Sequence, residues 1–274
     1  TYFVWKTEEC NYLIRVLENV ASLGSSDLFS QIATQIFEEP LDESSISQRL
    51  ALLREAKRQH VQITSLAEQK VKAKLSAMAA DPERGPLFAM KYMSPLTLSE
   101  QCLMTEWVGH GKIEKNYIKI LFPELYAYLL PSSVQTEKVN GWINEYFQEY
   151  CLSKVGNSQT ENLANKLKEL NASQVSFETW RNGFKTVKTF MHNRQDIDIY
   201  YWIDGLGVDW IPFIAQVVEK HKADGVFLNE IYVAASELPT VTSVNKTKLD
   251  EMADGKLEKI GDIDKFAHTP KKYP

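Results

Sequence analysis

The sequence has few of the features that would place it in a specialised class of protein. Its three cysteines, Cys10, Cys102 and Cys151, are far apart and odd in number, and none belongs to a Cys-x-x-Cys pair. This usage argues against a disulfide framework and fits a reducing compartment. No apolar run approaches the ~18 residues of a membrane span, and no leader pattern is visible. We therefore expect a cytoplasmic protein that makes no use of a membrane.

An excess of basic residues is also missing. The chain has 31 Lys and Arg against 36 Asp and Glu, which gives a net charge of −5. This balance argues against a broad phosphate-binding surface, so the net charge gives no support to direct DNA contact. With 44% hydrophobic and 24% charged residues, the composition is that of a globular protein.

The length of 274 residues is enough for two domains. The sequence begins at Thr1 without an initiator methionine and ends on Lys-Lys-Tyr-Pro without a closing element. We therefore expect it to be an N-terminal fragment of a longer protein.

Residues 1–192 are predicted to form an all-helical domain. Apolar residues recur at steps of three and four, and the longest predicted helix begins at the capping-box pair Ser45 and Gln48 and ends at Asp81-Pro82. Three prolines and Gly85 mark residues 82–95 as a loop or hinge. A second capping box, Thr97 with Glu100, begins the next helix. The aromatic residues of the later helices have helical spacing, which favours a core position over base stacking.

The pattern changes at residue 193. The β-favouring run Ile197–Ile203 is typical of a parallel strand buried on both faces. A crossover helix is predicted over Trp210–Lys222, a second strand over Val226–Ala234 and another helix over Ser243–Met252; the tail after Gly255 is expected on the surface. The sequence thus predicts a multidomain α + α/β protein, in which a parallel α/β domain begins at residue 193 and continues to 274.

Three residues in this second region indicate a chemical function. Asp204 follows the buried strand, where an isolated carboxylate is costly unless a cation meets it, so we interpret it as a metal ligand. The alternative is that Asp204 caps the next helix. Thr242 precedes a helix whose first turn favours anions, and its hydroxyl needs a base or a metal to become a nucleophile. Thr242 could equally be an ordinary N-cap, and Thr240 the reactive residue. Asn245 lies one helical turn further, where its side-chain amide can bind an oxygen of a phosphate group held at the start of the helix.

The residues around Asp204 and Thr242 resemble two motifs of a known superfamily of enzymes. Pro239-Thr-Val-Thr-Ser-Val-Asn245 is similar to the Pro-Thr-x-Thr-x-x-Asn element of nucleotide pyrophosphatase/phosphodiesterases, and Asp204-Gly-Leu206 resembles the first metal-binding strand end of the alkaline phosphatase superfamily. Most similar is the PglZ family of bacteriophage exclusion (BREX) defence systems, in which a long helical region precedes such a domain. The resemblance covers residues 197–250.

The resemblance implies a zinc-dependent phosphoesterase or phosphodiesterase that acts in antiviral defence. Asp204 would be a zinc ligand, Thr242 both zinc ligand and covalent nucleophile, and Asn245 a ligand of the phosphoryl oxygens in a two-metal site. The substrate would be a phosphodiester or a nucleotide, and the partners other BREX proteins. The family's remaining Asp and His ligands follow the nucleophile helix. Here only His268 and a few unmatched acids follow Thr242, so we expect half of an active site and an inactive fragment.

A second hypothesis belongs to another class of function. The long helix with a basic stripe and the aromatic helices contain no catalytic cluster. The helical region could therefore serve as an interaction or assembly module of a defence complex, without activity of its own.

Overall fold

The structure is a computed structural model, and it describes residues 14–18, 21, 28–37, 42–131, 142–172, 182–192, 194, 196–203 and 206–260. Within these ranges, the structure describes only the backbone of Leu28, Trp142, Thr242, Lys246, Thr247, Lys259 and Ile260. The chain divides into two compact units. Unit 1 comprises Thr1–Tyr126 and Lys154–Ser158, and unit 2 comprises Ala127–Ser153 and Gln159–Pro274.

The described helices of the first half are α1 (Leu28–Gln35), α2 (Glu43–Arg58), α3 (Ser65–Ala79), α4 (Gly85–Met90), α5 (Leu98–Gly109) and α6 (Pro123–Tyr128). A 3₁₀ turn, Lys115–Ile118, precedes α6. The second half contains α7 (Trp142–Gly156), α8 (Glu161–Ala172), α9 (Val187–His192), strand β1 (Tyr200–Ile203), α10 (Ile211–Lys220), α11 (Thr242–Ala253) and strand β2 (Leu257–Ile260). Two further 3₁₀ turns, Val208–Trp210 and Lys222–Asp224, flank α10.

The long helix predicted from Ser45 to Asp81 is wrong, because the structure divides it into α2 and α3. Asp42, rather than Ser45, caps α2 by accepting a hydrogen bond from Ser45 N at 2.7 Å. After α2, His60 has a left-handed backbone with φ of 56°. Thr64 then caps α3 and shares a hydrogen bond of 2.9 Å with Ser30 of α1. The left-handed His60 thus follows the end of α2, and the Thr64 cap with its contact to Ser30 begins α3, although the apolar stripe of the sequence continues across the break.

A buried ion pair joins three elements of unit 1. The guanidinium of Arg49, 2% exposed, meets the fully buried carboxylate of Glu100 at 3.0 Å. Arg49 also donates to Ala33 O of α1 at 2.7 and 3.0 Å. Glu100 accepts from Ser94 N at 2.7 Å and from the Thr97 hydroxyl. Because every buried charge here has several partners, the pair fixes α1, α2 and α5 relative to one another.

The predicted cap of α5 is confirmed, since Thr97 Oγ1 accepts a hydrogen bond from Glu100 N. Residues 82–95, predicted as a loop or hinge, contain the short helix α4. The prediction of a loop is therefore wrong for residues 85–90, and the prediction of a hinge is not tested. Apolar side chains of the first helices pack together around Val16, Ile32, Ile36 and Leu53.

Strands β1 and β2 pair in parallel, with Tyr200 opposite Leu257 and Ile203 opposite Ile260. The presence of the first strand was predicted correctly. The prediction that both of its faces are buried is wrong, because Tyr201 is 62% exposed. The strand predicted over Val226–Ala234 does not form, and β2 lies instead in the predicted surface tail. The segment 226–234 has one parallel bridge beside it, between Thr186 and Ala235.

The described part of the chain is mostly helical, in agreement with the predicted helix-rich architecture. The domain boundary predicted at residues 192 and 193 stays a prediction; α9 and both strands lie within unit 2. In the described residues, none of the helices combines the length and apolar character that crossing a bilayer requires.

We predict that Arg49→Met lowers the free energy of unfolding by about 3–5 kcal/mol, because it leaves the Glu100 carboxylate buried without its cation. The measurement is urea unfolding followed by circular dichroism. Arg58→Met is the matched control on the same helix: Arg58 pairs with Glu55 at 2.7 Å on the surface, where the ion pair contributes little. Equal stability of the two variants would contradict a supporting role for the buried pair.

Candidate functional site

The candidate site is formed by the residues after β1 and the first turn of α11. Asp204, the predicted zinc ligand, follows Ile203 directly and lies outside the described residues. Thr242, the predicted nucleophile, is the first residue of α11, but its side chain is outside the described part. The predicted meeting of Asp204 with Thr242 therefore stays a prediction, as does zinc binding by both.

The start of α11 is defined by backbone hydrogen bonds. Val241 is the N-cap residue in an extended conformation, without a side-chain cap. Its carbonyl accepts from Val244 N at 3.1 Å and from Asn245 N at 3.2 Å. Thr242 is therefore inside the helix, and the alternative that it is an ordinary N-cap is wrong. Thr240 lies in the preceding loop and is exposed.

Asn245 fastens this loop to the helix. Its Oδ1 accepts from Glu237 N at 2.9 Å, and its Nδ2 lies 3.3 Å from Glu237 O, 3.4 Å from Pro239 O and 3.2 Å from Val241 O. One side chain thus binds the backbone on both sides of the cis Leu238-Pro239 bond. Because Nδ2 carries two protons for three acceptors, its donor capacity is fully used by the protein.

The position of Asn245 gives it a second interpretation beside the predicted one. The amide holds residues 237–241, and these residues lead directly into Thr242. Binding of a phosphoryl oxygen by Nδ2 would require one of the loop carbonyls to be released. The phosphoryl-binding role stays a prediction, and the contacts make Asn245 a positioning residue for the start of α11.

Sequence reasoning missed a buried polar group in the 3₁₀ turn that follows β1 in the chain. Asp209, 4% exposed, accepts a hydrogen bond from the Tyr128 hydroxyl at 2.7 Å, and its carbonyl accepts from the Cys151 thiol at 3.6 Å. Burial, and then the hydrogen bond to Asp209, raises the pKa of Tyr128 above its usual value, so the phenol stays a donor. The only sequence signal was an acid inside an apolar segment.

The Asp209 carboxylate also explains a glycine. A Cβ on Gly207 would lie 2.4 Å from Asp209 Oδ1, which is closer than atoms can approach. In the sequence, Gly205-Leu-Gly207 resembles a dinucleotide fingerprint, although Trp210 occupies the third glycine position. The contact accounts for Gly207 without a bound dinucleotide. Trp210 packs edge-on against the Tyr128 ring, with centroids 5.1 Å apart.

The described residues contain no group of three or more His, Cys, Asp or Glu side chains that could hold a metal ion. His221 and Asp224 form an exposed pair at 2.9 Å, which supplies two potential ligands at most. The described residues therefore do not by themselves supply a complete zinc site, and zinc binding by Asp204 and Thr242 stays a prediction.

Comparison of the chain with protein-family models, curated proteins and solved structures finds no match.

We predict that Tyr128→Phe lowers the free energy of unfolding by about 1–3 kcal/mol, because the buried Asp209 carboxylate loses a donor. Tyr126→Phe is the matched control, since the Tyr126 ring contacts Lys119 and a phenylalanine ring keeps that contact. The measurement is urea unfolding of both variants. If Tyr128→Phe destabilises the protein less than Tyr126→Phe does, the hydrogen bond between Tyr128 and Asp209 does not stabilise unit 2.

Proposed function

We propose that the chain provides the nucleophile of a metal-dependent phosphoesterase, with Thr242 as nucleophile and Asp204 as metal ligand. The observation that supports the proposal is the start of α11. Thr242 is its first residue, and Asn245 fastens the loop before it with hydrogen bonds to Glu237, Pro239 and Val241. A nucleophile on a rigid helix end gains from such fixed geometry. The PglZ resemblance places the same residue types at these positions.

The reaction in this proposal is a displacement at phosphorus. The Thr242 hydroxyl gives up its proton to solvent as its oxygen forms a bond to phosphorus, and the leaving alkoxide or phenolate departs with the electron pair of the broken P–O bond. Water then attacks the phosphorus of the threonine-linked ester, the bond between phosphorus and the Thr242 oxygen breaks, and a proton from that water restores the Thr242 hydroxyl. Zinc, when bound, supplies Lewis acidity for the phosphoryl group and lowers the pKa of the hydroxyl. The first turn of α11 adds the positive end of the helix dipole.

The proposed substrate is a phosphodiester or a nucleotide, in keeping with the resemblance and its Thr-x-Thr-x-x-Asn pattern. The proposed cellular role is phage defence together with other BREX proteins. In the family that the chain resembles, further Asp and His ligands follow the nucleophile helix, and the proposed metal site needs ligands of this kind beside Asp204 and Thr242.

We expect Thr242→Ala to abolish the zinc-dependent hydrolysis of a nitrophenyl phosphodiester by the complete protein product, because no other hydroxyl replaces the nucleophile. The measurement is nitrophenolate release, with Thr240→Ala as the matched control in the same loop. Thr242→Ser should keep part of the activity. Full activity of Thr242→Ala, or loss only in Thr240→Ala, would refute the assignment of the nucleophile.

The same assay separates the two roles of Asn245. If Asn245 donates to the phosphoryl oxygens in the transition state, Asn245→Ala should lower kcat by a factor of about 10²–10³. As a positioning residue, it would also lower the melting temperature, because residues 237–241 lose their hydrogen bonds. Loss of activity at unchanged melting temperature supports phosphoryl binding, whereas a parallel loss of both supports positioning.

Assembly is a second candidate function, and it is supported by exposed apolar side chains in unit 1. Ile120 is 94% exposed, Leu98 66% and Tyr117 55%. Such residues are ordinary singly, but all three lie between the start of α5 and the start of α6. The partner in this proposal is another protein of the defence complex.

The expected result for assembly is that Ile120→Glu and Leu98→Glu weaken co-purification with that partner, while Thr242→Ala leaves it unchanged. Leu66→Glu is the control, since Leu66 is 53% exposed on another helix. The measurement is co-purification of tagged variants with each BREX protein. Binding that survives both changes and depends on residues after 192 would count against a helical assembly module.

A further inference from the structure

The chain that follows β1 is held on both sides of the predicted metal ligand. Before it, Ile203 pairs with Ile260 of β2. After it, the Gly207 carbonyl accepts a hydrogen bond from Trp210 N at 3.1 Å, which closes the 3₁₀ turn before α10. The short stretch between Ile203 and Gly207 begins with Asp204, the proposed metal ligand. The precision with which Asp204 can be placed therefore depends on how firmly these two ends are fixed.

The carboxylate of Asp209 limits where the second of these ends can lie. A Cβ on Gly207 would collide with Asp209 Oδ1, so the backbone at Gly207 lies directly against that oxygen. The φ of Gly207 is −77°, a conformation open to any residue. Contact with Asp209, and not backbone conformation, is therefore what requires glycine here.

Asp209 is in turn held by two helices of unit 2. Its side chain is buried, and its Oδ2 accepts a hydrogen bond from the Tyr128 hydroxyl of α6 at 2.7 Å. Its carbonyl accepts from the Cys151 thiol of α7 at 3.6 Å. A buried carboxylate that moved away from Tyr128 would lose a donor where water does not replace it. The contacts thus run from Tyr128 through Asp209 to Gly207.

We propose that Tyr128 and Asp209 are positioning residues for metal binding: they hold the end of the loop after β1 so that the Asp204 carboxylate is preorganised for a divalent cation. The inference rests on the proposed function, in which Asp204 is a metal ligand, and it adds two residues that act through the loop backbone. A ligand on a loop depends on such support, and residues that orient metal ligands typically change metal affinity by about 10–100-fold.

The first measurement is hydrogen exchange of the 274-residue chain, followed by mass spectrometry. Tyr128→Phe should speed exchange in the peptide that covers residues 204–210 roughly five- to tenfold, because the loop opens more often when Asp209 loses its donor. The peptide that covers α11 should keep its wild-type rate. Tyr126→Phe is the control on the same helix, and it should leave both peptides unchanged.

The second measurement is the zinc affinity of the complete protein product, obtained by competition with a chromophoric chelator. Asp204→Asn should abolish zinc binding at this site, and Tyr128→Phe should weaken it about tenfold. Tyr126→Phe should leave it unchanged. Asp209→Ala should weaken it at least as much as Tyr128→Phe, whereas Asp209→Asn keeps an oxygen acceptor for Tyr128 and should restore part of the affinity. Lower stability alone does not change the zinc affinity of the folded protein, so this readout separates positioning from stabilisation.

Gly207→Ala tests the same contact from the loop side. Its methyl group would meet Asp209 Oδ1, so the variant should lower zinc affinity although it removes no hydrogen bond. Because Gly207 has an ordinary φ, backbone strain does not contribute to the effect.

Failure of the positioning role and failure of the proposed function give different results. If the wild-type protein binds no zinc, or if Asp204→Asn binds zinc as tightly as wild type, the metal role of Asp204 fails and this inference fails with it. If Asp204→Asn loses zinc while Tyr128→Phe and Gly207→Ala keep the wild-type affinity, the positioning role is overturned and the metal role of Asp204 stands. Unchanged exchange of residues 204–210 in Tyr128→Phe would overturn the positioning role without reference to zinc.

Discussion

The carboxylate of Glu100 has no contact with water, and the fold of unit 1 depends on how its charge is met. Arg49 supplies the opposite charge, and the remaining donors come from Ser94 N and the Thr97 hydroxyl. The same constraint acts in unit 2, where Tyr128 meets the buried Asp209. Apolar packing alone permits several arrangements of helices, whereas a buried charge permits only those that supply its partners. Polar groups of this kind therefore select one arrangement in each unit.

The elements that the sequence predicts well are those whose causes are local. The α5 cap depends on two residues three positions apart, and α11 was expected over nearly its observed range. The break between α2 and α3 was missed because it involves Ser30, which is far from Thr64 in the sequence. Strand formation over 226–234 was expected from composition, but β-propensity acts only where a neighbouring strand offers a partner. No named strand pairs with that segment in the described residues: the bridge between Thr186 and Ala235 lies just after it, and β1 pairs with β2 instead.

The candidate site divides in the same way. The position of Thr242 at a helix start could be predicted from the residues around it. The engagement of Asn245 with residues 237–241 could not, because the Thr-x-Thr-x-x-Asn pattern indicates spacing and carries no information on what the amide binds. The contact between Asp209 and Tyr128 depends on chain segments that sequence patterns do not relate. Where a side chain has several suitable partners, only the tertiary structure decides among them.

The parallel pairing of β1 with β2 has a consequence for the rate at which the chain folds. The paired residues Tyr200 and Leu257 are separated by α10, by the irregular segment after it and by α11. Closing so large a loop costs chain entropy before any strand contact compensates for it, so such pairing is slow compared with helix formation. Until it is complete, the apolar residues Val226, Phe227 and Leu228 coexist with an unpaired β1. This interval is when the nascent chain is most vulnerable to association with other chains.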